Sequence, residues 1–263
     1  MLPPEYDITG KVVFITGAGR GIGKGIAQVL ANAGADIALN ALTPKFVEPL
    51  AADIAQASGR RVEPVVADVT KPESVRAAVD SVLAKFGRID VLVNALGDSI
   101  RKSLVKLPDK DQSQAASDDE VKFVMDINLT EAILCTRAVG AHMLERRSGK
   151  VISISAWTAS KGGGEMVLYT AAKTALVGFT RAQALEWAPY GVQVNAIAPG
   201  LFPDPVTSGE QRAQESAERA KRTVPLKRHG QLREVGLLAL YLASSASDYM
   251  TGQTLVLDGG LSL

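Results

Sequence analysis

Cysteine is almost missing from this chain. One cysteine, Cys135, occurs in 263 residues, so an intrachain disulfide framework and a thiolate zinc cluster are both excluded. Histidine is nearly as scarce: His142 and His229 are the two present, too few for a histidine metal cluster. Excess charge of either sign is missing too. Lys and Arg number 29 against 28 Asp and Glu, a formal net charge of +1, which gives no electrostatic reason to expect nucleic acid or an acidic membrane surface as partner. No apolar run reaches membrane-spanning length. The segment Met1 to Gly10 is polar and carries Pro3, Pro4, Glu5 and Asp7, so no secretory leader is expected. Together these absences predict a soluble, cytoplasmic protein. The length suits one large α/β domain, residues 1–263.

Short β-branched runs alternate with helical periodicity along the chain. Strands are expected at 11–16, 35–40, 62–67, 89–94, 150–155, 193–197 and 254–257. Helices are expected at 22–33, 47–57, 72–86, 119–147, 169–188 and 234–244. The run 89–94 is nearly all apolar, as in strands buried on both faces of a parallel sheet. This alternation predicts a Rossmann-like, doubly wound parallel sheet with helices on both faces, and a ligand at the C-terminal strand edge. Two stretches break the rhythm: the polar insertion 109–117 and a charged segment within 201–224, a candidate substrate loop.

The turn after the first strand reads Thr16-Gly17-Ala18-Gly19-Arg20-Gly21-Ile22-Gly23. Gly17 permits a sharp turn, while Gly21 and Gly23 remove side chains where backbone must approach a pyrophosphate; the following helix, from Ile22 on, offers its N-terminal amides to that anion. An NAD-binding chain of this kind places an acid at the end of the second strand, to hold the ribose hydroxyls. Here that strand ends Asn40-Ala41-Leu42. Without the acid, and with Arg20 available for a 2′-phosphate and Asn40 and Thr43 for hydrogen bonds, NADP(H) is favoured over NAD(H). Far downstream, Tyr169 and Lys173 lie one helical turn apart on a shared face. A lysine ammonium there stabilises a tyrosine phenolate and makes the tyrosine a usable acid/base.

These residues resemble the short-chain dehydrogenase/reductase family, in its 3-oxoacyl-reductase-like subgroup, over nearly the whole chain. The glycine turn is similar to the family's coenzyme turn. Asp68-Val69 resembles its adenine contact, and Asn94-Ala95-Leu96-Gly97 its Asn-Asn-Ala-Gly segment. Asn128 matches the asparagine of its catalytic tetrad, Tyr169 and Lys173 its paired residues. Pro199-Gly200 and the run from Thr251 to Gly260 match its closing segments. The resemblance implies an oxidoreductase that interconverts a carbonyl and a secondary alcohol by hydride transfer. In it, Tyr169 passes the proton, Lys173 lowers the tyrosine pKa and binds the nicotinamide ribose, and Asn128 holds a relay water.

A serine hydroxyl should polarise the substrate carbonyl. Ser155 is the candidate, although it stands slightly farther from Tyr169 than the family gap, which by strict spacing selects Ala156. Ser153 lies on the same strand face and is the other candidate. The alternatives to a carbonyl reductase are a sugar or polyol dehydrogenase of the same family, and a catalytically silent nucleotide-binding member. The small residues Ala171, Ala172, Ala175, Gly178 and Ala182 and the family's helix pairing imply a homotetramer.

Overall fold

The β-branched runs form the strands of one parallel sheet. The computed structural model describes residues 3–108, 115–204 and 209–263. Its strands are β1 (Val12–Ile15), β2 (Asp36–Ala41), β3 (Val62–Val66), β4 (Val91–Asn94), β5 (Gly149–Ile154), β6 (Val192–Pro199) and β7 (Thr254–Leu257). Their order across the sheet is β3-β2-β1-β4-β5-β6-β7. The helices are α1 (Gly21–Asn32), α2 (Pro44–Ser58), α3 (Pro72–Phe86), α4 (Asp118–Met125), α5 (Glu131–Glu145), α6 (Thr158–Lys161), α7 (Val167–Trp187), α8 (Glu210–Thr223) and α9 (Leu232–Ala243). The chain winds from β1 outward to β3, returns beside β1 as β4, and then winds the other way. That reversal opens a crevice at the C-terminal ends of β1 and β4, where doubly wound sheets hold ligands.

Alternation along each strand feeds two cores. Val13 and Ile15 face one side and pack with Ile26, Leu30 and Leu240 of α1 and α9. Val12 and Phe14 face the other and pack with Val79, Val139 and Trp187 of α3, α5 and α7. Each buried Leu, Ile or Phe contributes on the order of 1.5–3 kcal/mol of transfer free energy. Covering both faces in this way leaves the strand ends as the places where polar groups gather.

Three expected elements differ. α2 starts at Pro44 rather than residue 47, because proline at the first helical turn lacks only an amide that has no partner there anyway. The single helix expected over 119–147 is α4, a π-helical turn at Asp126–Thr130, and α5. Ser117 and Glu120 cap its start reciprocally, Glu120 N–H donating to Ser117 Oγ at 3.3 Å and Ser117 N–H to Glu120 Oε2 at 2.9 Å. The charged stretch before Val224 holds α8, which tucks Ala220 and Val224 against Leu261. So few apolar anchors leave little helical periodicity to read. Most of the polar insertion, 109–114, lies outside the described residues.

Asp90 ties the opposite, N-terminal edge of the sheet together. Its carboxylate accepts from Val12 N–H, Arg88 Nε and Arg146 Nη2, each at 2.9 Å, joining β1 to the segments before β4 and after α5. Burial by itself raises the Asp90 carboxyl, but the bonds from Arg88, Val12 and Arg146 overcome it and hold the group below the ordinary carboxylate value. A depressed folded pKa stabilises the fold above the unfolded value, about 3.9. That contribution is lost as pH falls through the folded pKa. Asp90→Asn should therefore cost about 1–3 kcal/mol at neutral pH, discounted for the half-exposed Arg88. Chemical denaturation at several pH values should show the variant with a flatter acid limb than the parent chain.

Candidate active site

β1 ends against the segment that follows β4, and this contact builds the coenzyme turn. Thr16 Oγ1 accepts from Ala95 N–H at 3.0 Å, and Gly17 turns with φ +60° so close to that segment that an added Cβ would lie 2.6 Å from Leu96 Cα. A Cβ on Gly23 would lie 2.8 Å from Gly17 O and Ala18 Cα, so α1 starts directly over the turn. Gly21 instead opens on empty space, and with Ile22 it forms the first turn of α1. One of these amides already holds an anion: Gly21 N–H donates to Asp204 Oδ2 at 3.0 Å. The residues present therefore fit a dinucleotide pyrophosphate, whose negative oxygens suit the same helix N-terminus.

Asn40, expected to reach the coenzyme, is turned inward and buried. Its Nδ2 donates to Val65 O at 3.0 Å and Ala67 O at 3.1 Å, and its Oδ1 faces Gly17 N–H at 3.5 Å. It braces the turn from behind rather than presenting its amide to a ribose. Arg20 and Thr43 are exposed at the end of β2, beside the half-buried Ala41. Lys45 is exposed in the first turn of α2, with Nζ 5.2 Å from the Phe46 ring centroid.

Asp68 closes a turn after β3, its Oδ1 accepting from Thr70 N–H at 3.0 Å and Thr70 Oγ1 at 2.6 Å, with Val69 buried beside it. Asn94 is buried, its Nδ2 donating to Thr136 Oγ1 at 3.1 Å and Ser153 Oγ at 3.2 Å. Ser153 is thus a buried link between β4 and β5. Pro199 accepts from Trp157 N–H at 3.1 Å, and Gly200 runs against Asp258 so tightly that a Cβ would lie 2.7 Å from its Cα.

α7 brings Tyr169 and Lys173 to the same crevice, with Lys173 Nζ 5.8 Å from the tyrosine ring centroid. Nζ donates to Ile154 O at 2.8 Å and Leu96 O at 3.5 Å. Asn128 enters from the π-helical turn; such irregular turns inside helices occur often at functional sites. Its Nδ2 donates to Asp98 O at 2.8 Å and Val124 O at 2.9 Å, while its buried Oδ1 has no partner. A Cβ on Gly97 would lie 2.8 Å from that Oδ1 and 3.0 Å from Lys173 Nζ, so the two polar tips converge there.

Protonation states follow from burial. Burial and the nearby charge of Asp98 push the Tyr169 phenol up to about 12, the reverse of the lowering expected from Lys173. In the coenzyme-free chain Tyr169 is a held acid, and Lys173 spends its donors on carbonyls. Burial pushes the Lys173 ammonium down, and the charge of Glu131 opposes that. Glu131 was not anticipated. It is 1% exposed at the start of α5, and its Oε2 accepts from Thr16 Oγ1 at 3.3 Å. A glutamate set directly before the apolar run Ala132 to Cys135 was the available signal.

Ser155, expected to polarise the substrate carbonyl, is bonded to the backbone of α7 in this structure. Carbonyl polarisation requires a hydroxyl proton that can be given to substrate. Ser155 is 1% exposed and its Oγ donates to Lys173 O at 3.0 Å, so its proton is committed to the backbone of α7. The residue that strict spacing selects, Ala156, has no hydroxyl.

A family model described as enoyl-(acyl carrier protein) reductase matches residues 17–262. The chain is 36% identical over 263 residues to a 2-dehydro-3-deoxy-D-gluconate 5-dehydrogenase of Bacillus subtilis (strain 168), covering 98% of this chain and 97% of the relative. It is 36% identical over 256 residues to a 3-oxoacyl-[acyl-carrier-protein] reductase of Synechocystis sp. (strain ATCC 27184 / PCC 6803 / Kazusa), covering 97% and 98%. Among solved structures, a gluconate 5-dehydrogenase from Burkholderia cenocepacia J2315 in complex with NADP and tartrate superposes with a TM-score of 0.88 at 34% identity, covering 98% of this chain and 97% of that one.

The Ser155 geometry sets a paired expectation. Ser155→Ala should leave turnover within about tenfold and cost about 1–2 kcal/mol of stability, because the Lys173 carbonyl loses a buried donor. Ala156→Ser, which places a hydroxyl at the family spacing, should raise turnover. Steady-state kinetics and denaturation of both variants check this, and a loss of about 100-fold in Ser155→Ala, the scale of one missing oxyanion-type donor, would restore Ser155 as the polarising group.

Proposed function

The chain belongs to the short-chain dehydrogenase/reductase family, and on that footing we propose that Tyr169 exchanges the proton of its reaction, with Lys173 and Asn128 as partners and NADP(H) as the preferred coenzyme. The chain is an NAD(P)-dependent oxidoreductase that interconverts a carbonyl and a secondary alcohol by hydride transfer. The observation that carries the assignment of roles is the convergence of three elements on one crevice. Tyr169 and Lys173 come from α7 and Asn128 from the π-helical turn, beside the segment that touches the glycine turn.

The bound coenzyme supplies or accepts the hydride. Gly17, Gly21, Ile22 and Gly23 would hold its phosphates at the N-terminus of α1, where Gly21 N–H bonds Asp204 in this structure. Asp68, Val69, Asn94, Pro199 and Gly200 shape the walls around it. Tyr169, protonated in the coenzyme-free chain, gives its proton to the oxygen of the substrate carbonyl during reduction and takes it back during oxidation. In the second direction the Tyr169 phenol would be lowered by positive charge beside it, that of Lys173 and of an oxidised nicotinamide when bound. Lys173 orients the nicotinamide ribose, and Asn128 Oδ1 accepts from a relay water.

Substrate is a small carbonyl compound or its alcohol. The similarity to gluconate-type dehydrogenases favours a polyhydroxy acid as a second, narrower reading. A panel of sugar acids, polyols, 3-oxoacyl thioesters and simple ketones, followed by coenzyme oxidation and reduction, separates these classes. The exposed small residues Ala171, Ala175, Gly178 and Ala182 line one stripe of α7, which suits helix pairing in a homotetramer, whereas Ala172 is buried in its own subunit. Assembly of this kind, in the cytoplasm, is part of the proposal.

Two outcomes test the roles. Tyr169→Phe keeps the ring but removes the proton, so turnover should fall by about 10²–10⁴-fold while coenzyme still binds; near-normal turnover overturns the assignment. Coenzyme titration should show NADP(H) binding tighter than NAD(H). Ala41→Asp should reverse the order by repelling the 2′-phosphate, a swing of about 1–3 kcal/mol. Equal affinities in the parent chain would rule out the preference.

A further inference from the structure

We propose that Glu131 is the counter-charge of Lys173, a positioning residue that keeps the lysine an ammonium at mildly alkaline pH. The proposal rests on the reading of Lys173 as the partner of Tyr169. Its starting point is an imbalance. Lys173 is 2% exposed and its Nζ is held by two neutral carbonyls, Ile154 O and Leu96 O. Carbonyl dipoles soften the loss of water but supply no net negative charge, and an isolated buried ammonium reverts to the amine unless an anion compensates it. A neutral amine stabilises no phenolate.

Several elements place polar groups around the pair, and Asp126 of the π-helical turn is paired with Lys122. On α7 the group is Tyr169, raised rather than lowered by its surroundings. The π-helical turn offers the neutral amide of Asn128, and β1 the hydroxyl of Thr16. One turn along α5, Cys135 has its thiol pushed well up by burial and then by the Glu131 charge, so it stays neutral. Asp98 is exposed, and its charge falls on Tyr169. The carboxyl whose charge reaches Lys173 is that of Glu131; burial pushes it up to about 8 against the pull of the Lys173 charge and the Thr16 hydroxyl, so its negative charge is present on the alkaline side of that value.

The geometry holds Glu131 in that office through the site itself. Its Oε2 accepts from Thr16 Oγ1 at 3.3 Å, Thr16 Oγ1 accepts from Ala95 N–H at 3.0 Å, and the next residue, Leu96, offers its carbonyl to Lys173 Nζ at 3.5 Å. The carboxylate and the ammonium are therefore joined to the same short backbone segment from two sides. The interaction acts through space in a dry interior, where opposite charges attract far more than in water. Glu131 touches neither substrate nor coenzyme, and it works through Lys173.

Glu131→Gln isolates the charge, because glutamine keeps the volume and can still accept from Thr16. Two measurements read the effect. The first is a stability cycle on the coenzyme-free protein near pH 9, where Glu131 carries its charge, with Glu131→Gln, Lys173→Met and the double variant. Each single change should lower the melting temperature, and the double variant should melt higher than the sum of the single losses allows. The second is coenzyme affinity against pH. Removing the anion lets Lys173 lose its proton at lower pH. The Kd of NADPH should thus be about tenfold weaker than in the parent near pH 9, and within about twofold of it near pH 6.

Glu131→Asp, which keeps the charge, should restore the alkaline limb, and it serves as the working variant if Glu131→Gln folds poorly. Additive losses in the cycle, or superimposable pH curves, overturn the proposal. The cycle needs no catalysis, so coupling together with an active Tyr169→Phe variant would condemn the assigned reaction and leave the charge pair standing.

Discussion

Lys173 Nζ lies between the carbonyl oxygens of Ile154 at 2.8 Å and Leu96 at 3.5 Å, with its side chain withdrawn from water. Desolvating an ammonium is costly, and interiors accept it only where donors are saturated and the charge is answered. Much of the site follows from meeting that demand. β5 must end where Ile154 can offer its carbonyl, and the segment after β4 must bring Leu96 across. Ser155 pins the carbonyl of Lys173 itself, at 3.0 Å. A serine that looked catalytic in the sequence is used to hold the helix that carries the lysine.

The same demand couples the two halves of the crevice. Thr16, at the end of β1, accepts from Ala95 and donates to Glu131, so the turn that receives phosphates shares its anchoring with the segment that holds Lys173. Asn40 and Asn94 brace the strand ends from behind with amides that are buried and mostly paired. Paired polar groups at the ends of otherwise apolar strands make a rigid floor, since breaking any one leaves a donor or acceptor without water. Rigidity there matters because hydride and proton must be exchanged over short, fixed distances.

Energetically the coenzyme-free crevice is poised for one ionisation state. Tyr169 is pushed to about 12 by burial and by Asp98, so its proton is retained until more positive charge enters. The N-terminus of α1 is meanwhile answered by Asp204, a carboxylate from the stretch that follows Pro199-Gly200.

Periodicity and local chemistry determined a great deal of this protein from sequence alone. The β-branched runs, Pro72 at a helix start and the glycine turn at 17–23 are local signals, and they set the parallel sheet and its switch point. Hydrophobic pattern could not set where a side-chain proton goes. Ser153 and Ser155 share a strand face, and only packing shows that one bonds Asn94 and the other the Lys173 backbone. Nor did the pattern reveal the π-helical turn at Asn128, because a single wider turn hardly disturbs helical spacing over a segment as long as 118–145. Glu131 reads in sequence as one more acid within the long helix expected over 119–147. Its meaning depends on Thr16, 115 positions away in sequence, and on Lys173 in a different helix, and contacts at that range are decided by the tertiary structure because no local rule encodes which buried charge will face which.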